Sequence, residues 1–350
     1  MSGVSPKQEL VYDEARAALF EEGQLVEYMR QADPNDYAIG AICHARITQT
    51  FPKQKRAQCQ LDNGQMASFR LDDKAAITAG QLCWITLSAM GRQHKPWQAE
   101  QGISRGGRLI VLHHGRQGVR LSHKAKGQID ETIISAVNEA LPDGWGAVLK
   151  RASIAATPQD IITEISLLLA PLSVPPLCLP IDLRAQAATP LCLYRGDDAK
   201  TSIGLSGRPD MVARYEGDST AWDEIEDTAK DGCESEVILP NGALLHFEQT
   251  QALMAVDVDS ATSKLAPLAL AKYCAPQIMR HIRLASYSGV IVVDMPRLGM
   301  KDMGIILEMM REAAACDIRN PDVLGVSRAG LIEIVVRHRL SPLAERLTAT

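Results

Sequence analysis

The sequence predicts a mixed α+β protein of more than one domain, and three observations carry that expectation. Two apolar runs, QALMAVDVDS at 251–260 and GVIVVD at 289–294, read as strands that end in carboxylates, and the stretch between them is long enough for a crossover helix. Between Tyr37 and Leu87 several short β-like runs follow one another around an Asn-Gly turn signal, as in a small closed barrel. Amphipathic segments with helix start and stop residues lie between those regions.

In chain order, ELVYDEARAALFEEGQLVEYM reads as a strand, a turn at Glu22-Gly23 and a second strand, a short hairpin. Four β-like runs follow at Ala41–Thr48, Arg56–Leu61, Met66–Leu71 and Leu82–Leu87, with Asp62-Asn63-Gly64-Gln65 as the tight turn between two of them. This pattern suits an OB-type barrel. Such barrels hold single-stranded nucleic acid with a basic groove and stacking aromatics; here the aromatics are sparse, Phe51 and Phe69 with Trp97 just beyond, beside Lys53, Lys55, Arg56, Arg70 and Lys95. A barrel that only packs fits the same text.

Arg105 to Lys126 carries Arg105, Arg108, Arg116, Arg120, Lys124 and Lys126 with His113, His114 and His123, and no acid, which points to a phosphate partner. Its glycines let backbone amides approach an anion. The alternative is a solvated basic face. Ile129–Leu141 reads as a helix with acids in its first turn; a strand at Ala147–Leu149 then delivers Lys150 and Arg151. Thr157-Pro158 starts a second helix, to about Ala170, with threonine capping and proline at the first helical position. Pro171–Pro190 reads as a proline-rich linker.

Glu216–Glu236 reverses the charge balance, nine acids against Lys230, and reads as a solvated helix face. An Asn241-Gly242 hairpin leads into the first acid-tipped strand. Lys264–Ser286 and Met300–Cys316 read as helices and Leu331–Val336 as a strand. In an extended strand alternate side chains share a face, so Asp257 and Asp259 stand together. If the strand ending at Asp294 is a neighbour, three carboxylates converge. That set suits a hard divalent cation such as magnesium, which takes oxygen ligands and keeps several waters. The alternative is acids that merely begin turns.

The remaining bounds come from composition. At 350 residues with 46% hydrophobic and 23% charged content, the chain is an ordinary globular one. No apolar run is of bilayer-spanning length and the first residues lack a signal-peptide core, so a cytoplasmic location is expected. Eight scattered cysteines with no CxxC pair suggest buried reduced thiols.

Taken together, VILPNGALLHFEQTQALMAVDVDS, IMRHIRLASYSGVIVVDM, SRAGLIEI and RHRLSP resemble the ribonuclease E/G family, and LPDGWGAVLKRAS and GVRLSHKAKG resemble its pocket for an RNA 5′-monophosphate. The resemblance implies an N-terminal hairpin segment (1–36) on a ribonuclease H-like part, an OB domain (37–103), a 5′-sensor-like region (104–172), a shortened ribonuclease H-like or linker region (173–236) and a DNase I-like catalytic domain (237–350). It implies Mg²⁺, with Mn²⁺ as a substitute, held by Asp257 and Asp294, with Asp259 beside them. It further implies hydrolysis of single-stranded RNA to 5′-phosphate and 3′-hydroxyl products. RNA contacts would come from Lys55, Arg56, Phe69, Lys95, Arg116, Arg120, His123, Lys124, Lys150, Arg151, Arg280 and Arg283.

Four positions depart from the family pattern. Asp259 stands where the family has asparagine, Arg297 where it has a second acid, Lys150-Arg151 where it has Arg-Thr, and the cysteine pair that links subunits through zinc is missing. No structural zinc and no zinc-linked tetramer are therefore expected, while a homodimer stays open. Two other readings also stay open: a relative that has lost catalysis and binds RNA or the ribosome, and an enzyme acting on small phosphate esters.

Overall fold

The computed structural model describes residues 8–31, 36–71, 77–91, 95–172, 189–208 and 210–348. The chain divides into two compact units, one formed by Gln31–Leu205 and the other by Met1–Arg30 together with Ser206–Thr350.

The discontinuous unit begins with β1 (Gln8–Tyr12), β2 (Arg16–Glu21) and β3 (Gln24–Arg30). The expected hairpin is thus three antiparallel strands. The Glu22-Gly23 turn is where the sequence places it, and an additional turn forms because the Asp13 carboxylate accepts the Ala15 and Arg16 amides.

In the continuous unit, β4 (Ile42–Phe51), β5 (Arg56–Gln60), β6 (Met66–Arg70), β7 (Leu82–Ala89) and β8 (Trp97–Gln101) close into a five-stranded barrel in the order β4-β5-β6-β8-β7, with β7 returning to β4. The β6–β8 pair is parallel and the rest are antiparallel, an OB-like arrangement. Alternate residues fill the interior: Cys43, Ala45 and Ile47 from β4, Ala57 and Cys59 from β5, Ala67 and Phe69 from β6.

Beside the barrel in sequence, β9 (Ser104–Gly106), β10 (Ile110–His114), β11 (Gly118–Leu121) and β12 (Trp145–Leu149) make a sheet in the order β11-β12-β10-β9, with helices α1 (Glu131–Ala140) and α2 (Pro158–Leu169). The glycine-rich basic segment is therefore largely strand. Gly146 is obligatory on β12, because a Cβ there would lie 1.5 Å from the Arg116 carbonyl oxygen. α2 starts as its sequence dictates, with a reciprocal cap between Thr157 and Asp160 and Pro158 in the first turn. The unit ends with β13 (Leu191–Tyr194), antiparallel to β4, and α3 (Ala199–Gly204). Most of the proline-rich linker, 173–188, lies outside the described residues.

The chain then returns to the first unit. β14 (Val212–Tyr215) pairs parallel to β1 and completes a sheet ordered β14-β1-β2-β3. α4 (Ser219–Asp231) is the acidic run: its charges lie mostly outward, while Trp222, fully buried, packs on Val11, Ala18, Leu25 and Tyr28. A six-stranded sheet follows from β15 (Glu236–Ile238), β16 (Leu244–Gln249), β17 (Leu253–Asp259), β18 (Gly289–Asp294), β19 (Asp322–Val326) and β20 (Ile332–Val336), ordered β15-β16-β17-β18-β20-β19. α5 (Pro267–Leu284) is the crossover between β17 and β18, which are parallel. α5 and α6 (Met300–Ala315) bury Leu270, Cys274, Ile278 and Ile306 with Met254, Val256, Ile291 and Ile334 of the sheet, and α7 (Leu343–Thr348) closes the chain. Among the described residues no helix is long and apolar enough to cross a membrane.

Candidate active-site cleft and basic surface

The acid-tipped strands meet as neighbours. Along β17 the alternation buries Met254, Val256 and Val258 and turns Asp257 and Asp259 outward. The parallel ladder pairs Leu253 with Val290 and, four residues on, Asp257 with Asp294, so the two carboxylates stand side by side at the carboxyl ends of adjacent strands. On the other flank His246 of β16 is in register with Asp257. Asp257 and Asp294 are exposed, and among the described residues neither accepts a hydrogen bond nor pairs with a base. In a fold that pairs most of its buried charges, two adjacent carboxylates left without counter-charge are a donor set for a hard cation, which binds through one or two carboxylates and retains waters.

Asp259 is different. Its Oδ1 accepts the Ala261 amide at 2.8 Å and shapes the turn out of β17, where Ala261 takes a left-handed backbone at φ 42°. An asparagine carbonyl could accept the same bond, so Asp259 keeps the turn and adds charge. Three converging carboxylates are not what forms: among the described residues no group of three or more His, Cys, Asp or Glu side chains is arranged to hold a metal ion. The donors that remain are Asp257 and Asp294.

A cleft of about 470 Å³ opens beside them, lined by Asp257, Asp259, Ser263, Lys264, Pro267 and Pro296, among others. It lies at the carboxyl end of β17, where open α/β sheets place ligands. The first turn of α5 borders it; Ala266 provides no side-chain cap and that turn has no acid of its own, so the helix presents its positive end to the cleft that Asp257 and Asp259 also line. Lys264 is exposed in the same cleft. Lys264 was not among the site residues expected from the sequence, although a lysine between an acid-tipped strand and a proline-started helix is a readable signal for an anion.

In the continuous unit, Lys55 occupies the β4–β5 turn with φ 50°, and Arg56 is in register with Arg70 across β5 and β6, so these three bases share one end of the barrel. Arg56 is held by Ser68 Oγ at 3.0 Å and Gln98 Oε1 at 2.9 Å. Lys95 precedes Trp97, which pairs with Ala67, and so lies toward the other end of β6. Arg116 is exposed just before β11, Arg120 on it, and His123 and Lys124 after it. Lys150 is half-buried and its ammonium donates to the Gly107 carbonyl, whereas Arg151 is exposed.

Three arginines and a phenylalanine are corrected by their surroundings. Phe69 is 1% exposed in the barrel core and cannot stack on a base. Arg283, 6% exposed, donates to Glu27 at 2.6 Å and Glu21 at 2.8 Å and is part of the packing between α5 and the β1–β3 strands. Arg280 is half-buried, donates to the Leu25 carbonyl and to Gln277, and burial lowers its pKa. Arg105, counted above with the basic face, is 2% exposed and forms a bidentate pair with Asp197 at 2.7 and 3.1 Å. The apparent absence of acids around it is an effect of sequence distance. Nearby, Glu164 accepts the Leu109 and Ile110 amides, and burial pushes its carboxyl pKa up.

Residues 204–340 match the Ribonuclease E/G family. The chain is 24% identical over 278 residues to Ribonuclease E of Haemophilus influenzae, covering 68% of this chain and 29% of that protein. It is 29% identical over 156 residues to Ribonuclease E of Escherichia coli, covering 41% and 15%, and 24% identical over 280 residues to Ribonuclease E of a Nostoc species, covering 68% and 40%. The alignments thus span less than half the length of these curated relatives.

Proposed function

We propose that this chain, whose residues 204–340 match the Ribonuclease E/G family, is an endoribonuclease that hydrolyses single-stranded RNA in the cleft beside Asp257 and Asp294. The observation that carries the proposal is the in-register placement of these two acids on parallel neighbours, without internal partners among the described residues. Asp257 and Asp294 would hold Mg²⁺ or Mn²⁺. When bound, that ion would polarise the scissile phosphate and lower the pKa of a water that attacks it, giving 5′-phosphate and 3′-hydroxyl ends. Lys264 and the first-turn amides of α5 would orient phosphate oxygens against the acids. Asp259 would hold the turn that presents Lys264. The exposed bases of the continuous unit, Lys55, Arg56, Arg116, Arg120 and Lys124, would neutralise the RNA backbone. With Lys150 bonded to Gly107, the exposed Arg151 is the better candidate to meet a 5′-phosphate.

Asp294→Asn is expected to slow metal-dependent cleavage of a single-stranded oligoribonucleotide by at least about a hundredfold while leaving RNA affinity within about twofold. Equal cleavage rates for wild type and variant defeat the proposal. The second reading, an RNA-binding relative without catalysis, draws on Asp259 and on the lack of a three-acid cluster among the described residues. RNA binding with no products at any Mg²⁺ or Mn²⁺ concentration would select it.

A further inference from the structure

The wall of the barrel contains a pair of thiols that neither the cleft nor the basic surface uses. Cys43 on β4 and Cys192 on β13 are direct cross-strand partners in an antiparallel pair. Such partners have Cα atoms about 4.5–5.5 Å apart, inside the range that a disulfide spans without backbone movement. Both side chains turn to the same face: Cys43 is fully buried in the barrel core and Cys192 packs against that core. Both are free thiols.

We propose that Cys43 and Cys192 form an oxidisable dithiol site that reacts with hydroperoxides and closes to a disulfide, fastening β13 to the barrel. The two sulfurs differ in the way such a site needs. Cys192 is partly exposed, whereas Cys43 is sealed in the core. A hydrogen bond from Cys43 lowers the Cys192 pKa, and the same bond together with burial pushes that of Cys43 up. The thiolate is the nucleophile, so Cys192 is the attacking sulfur and Cys43 the resolving one.

In the first step the Cys192 thiolate attacks the terminal oxygen of the hydroperoxide: an S–O bond forms, the O–O bond breaks, and the alkoxide, or hydroxide from hydrogen peroxide, leaves and is protonated to the alcohol or water. In the second, the Cys43 sulfur attacks the Cys192 sulfur: an S–S bond forms, the S–O bond breaks, and the departing oxygen takes the Cys43 proton to leave as water. Two thiols lose two electrons and two hydrogens, and one hydroperoxide is reduced.

The site is tested on the intact chain with hydrogen peroxide, independently of RNA cleavage. Titratable thiols in the denatured protein should fall from eight to six per chain, and peptide mapping without reductant should recover a peptide containing Cys43 joined to one containing Cys192. In Cys43→Ser, Cys192 should instead accumulate as sulfenic acid, trapped by a dimedone-type reagent. If that variant does not fold, mapping of the wild type decides alone. Cys192 that stays alkylatable, oxidises without joining Cys43, or pairs with another cysteine overturns the proposal.

Discussion

The acids at the ends of β17 and β18 and the Arg105–Asp197 pair show two opposite treatments of charge. Asp257 and Asp294 stand next to each other at the surface, and among the described residues neither is ion-paired or hydrogen-bonded. Arg105 and Asp197 are almost wholly removed from water, and each satisfies the other through two hydrogen bonds, with Leu168 O and the Tyr194 ring completing the arginine's surroundings. The difference separates structural charge from charge held open for something that arrives from outside. A buried charge must find its partner within the chain, and an unpaired one persists only where water, an ion or a ligand can answer it.

Removing one member of the closed pair has the largest expected effect. Arg105→Ala leaves Asp197 buried without compensation and is expected to cost about 3–5 kcal/mol in urea unfolding at neutral pH. A cost under about 1 kcal/mol would mean that the pair is not closed.

Next in size is acidification. His281 on α5 is 3% exposed, and burial together with the adjacent Arg280 lowers its pKa from 6.5 to about 4. The folded chain keeps the ring neutral, so between pH 6.5 and pH 4 the unfolded chain binds a proton that the folded one refuses. Stability contributed by neutral His281 is thus present above pH 6.5 and falls by on the order of 3 kcal/mol as the pH drops through that window. His281→Gln should flatten this part of the pH profile in parallel unfolding titrations.

At the open site the sign reverses. Asp257→Asn combined with Asp294→Asn removes repulsion between register neighbours and should raise stability by a few tenths of a kcal/mol, up to about 1, while abolishing the proposed cleavage. A thermal midpoint below that of wild type would count against the acids being held open. Smallest is Arg116→Ala with Arg120→Ala, expected to stay within about 0.5 kcal/mol of wild type in stability. The same pair should weaken RNA binding and flatten its salt dependence.

Much of this was legible from local signals. The Glu22-Gly23 and Asn241-Gly242 turns, the Thr157-Pro158 helix start and the two acid-tipped strands each depend on residues a few positions apart, and each forms as read. β8 and β19 escaped because WQAEQ is half polar and DVLGV carries Gly325 at a register shift. Phe69, Arg105 and Arg283 were misread for another reason. Their partners are the barrel interior, Asp197 at a separation of 92 residues, and Glu27 at 256, and no spacing rule reaches that far.

The discontinuity of the first unit sets an order of events during synthesis. β1, β2 and β3 leave the ribosome well before β14, the parallel partner of β1, which follows only after residues 31–211. At typical elongation rates that interval is on the order of 10–40 s. The intervening unit has all of its own strands within that stretch and can close while the early sheet edge waits. Nascent chains stalled just before Val212 should therefore contain a protease-resistant barrel and a protease-sensitive β1–β3 segment.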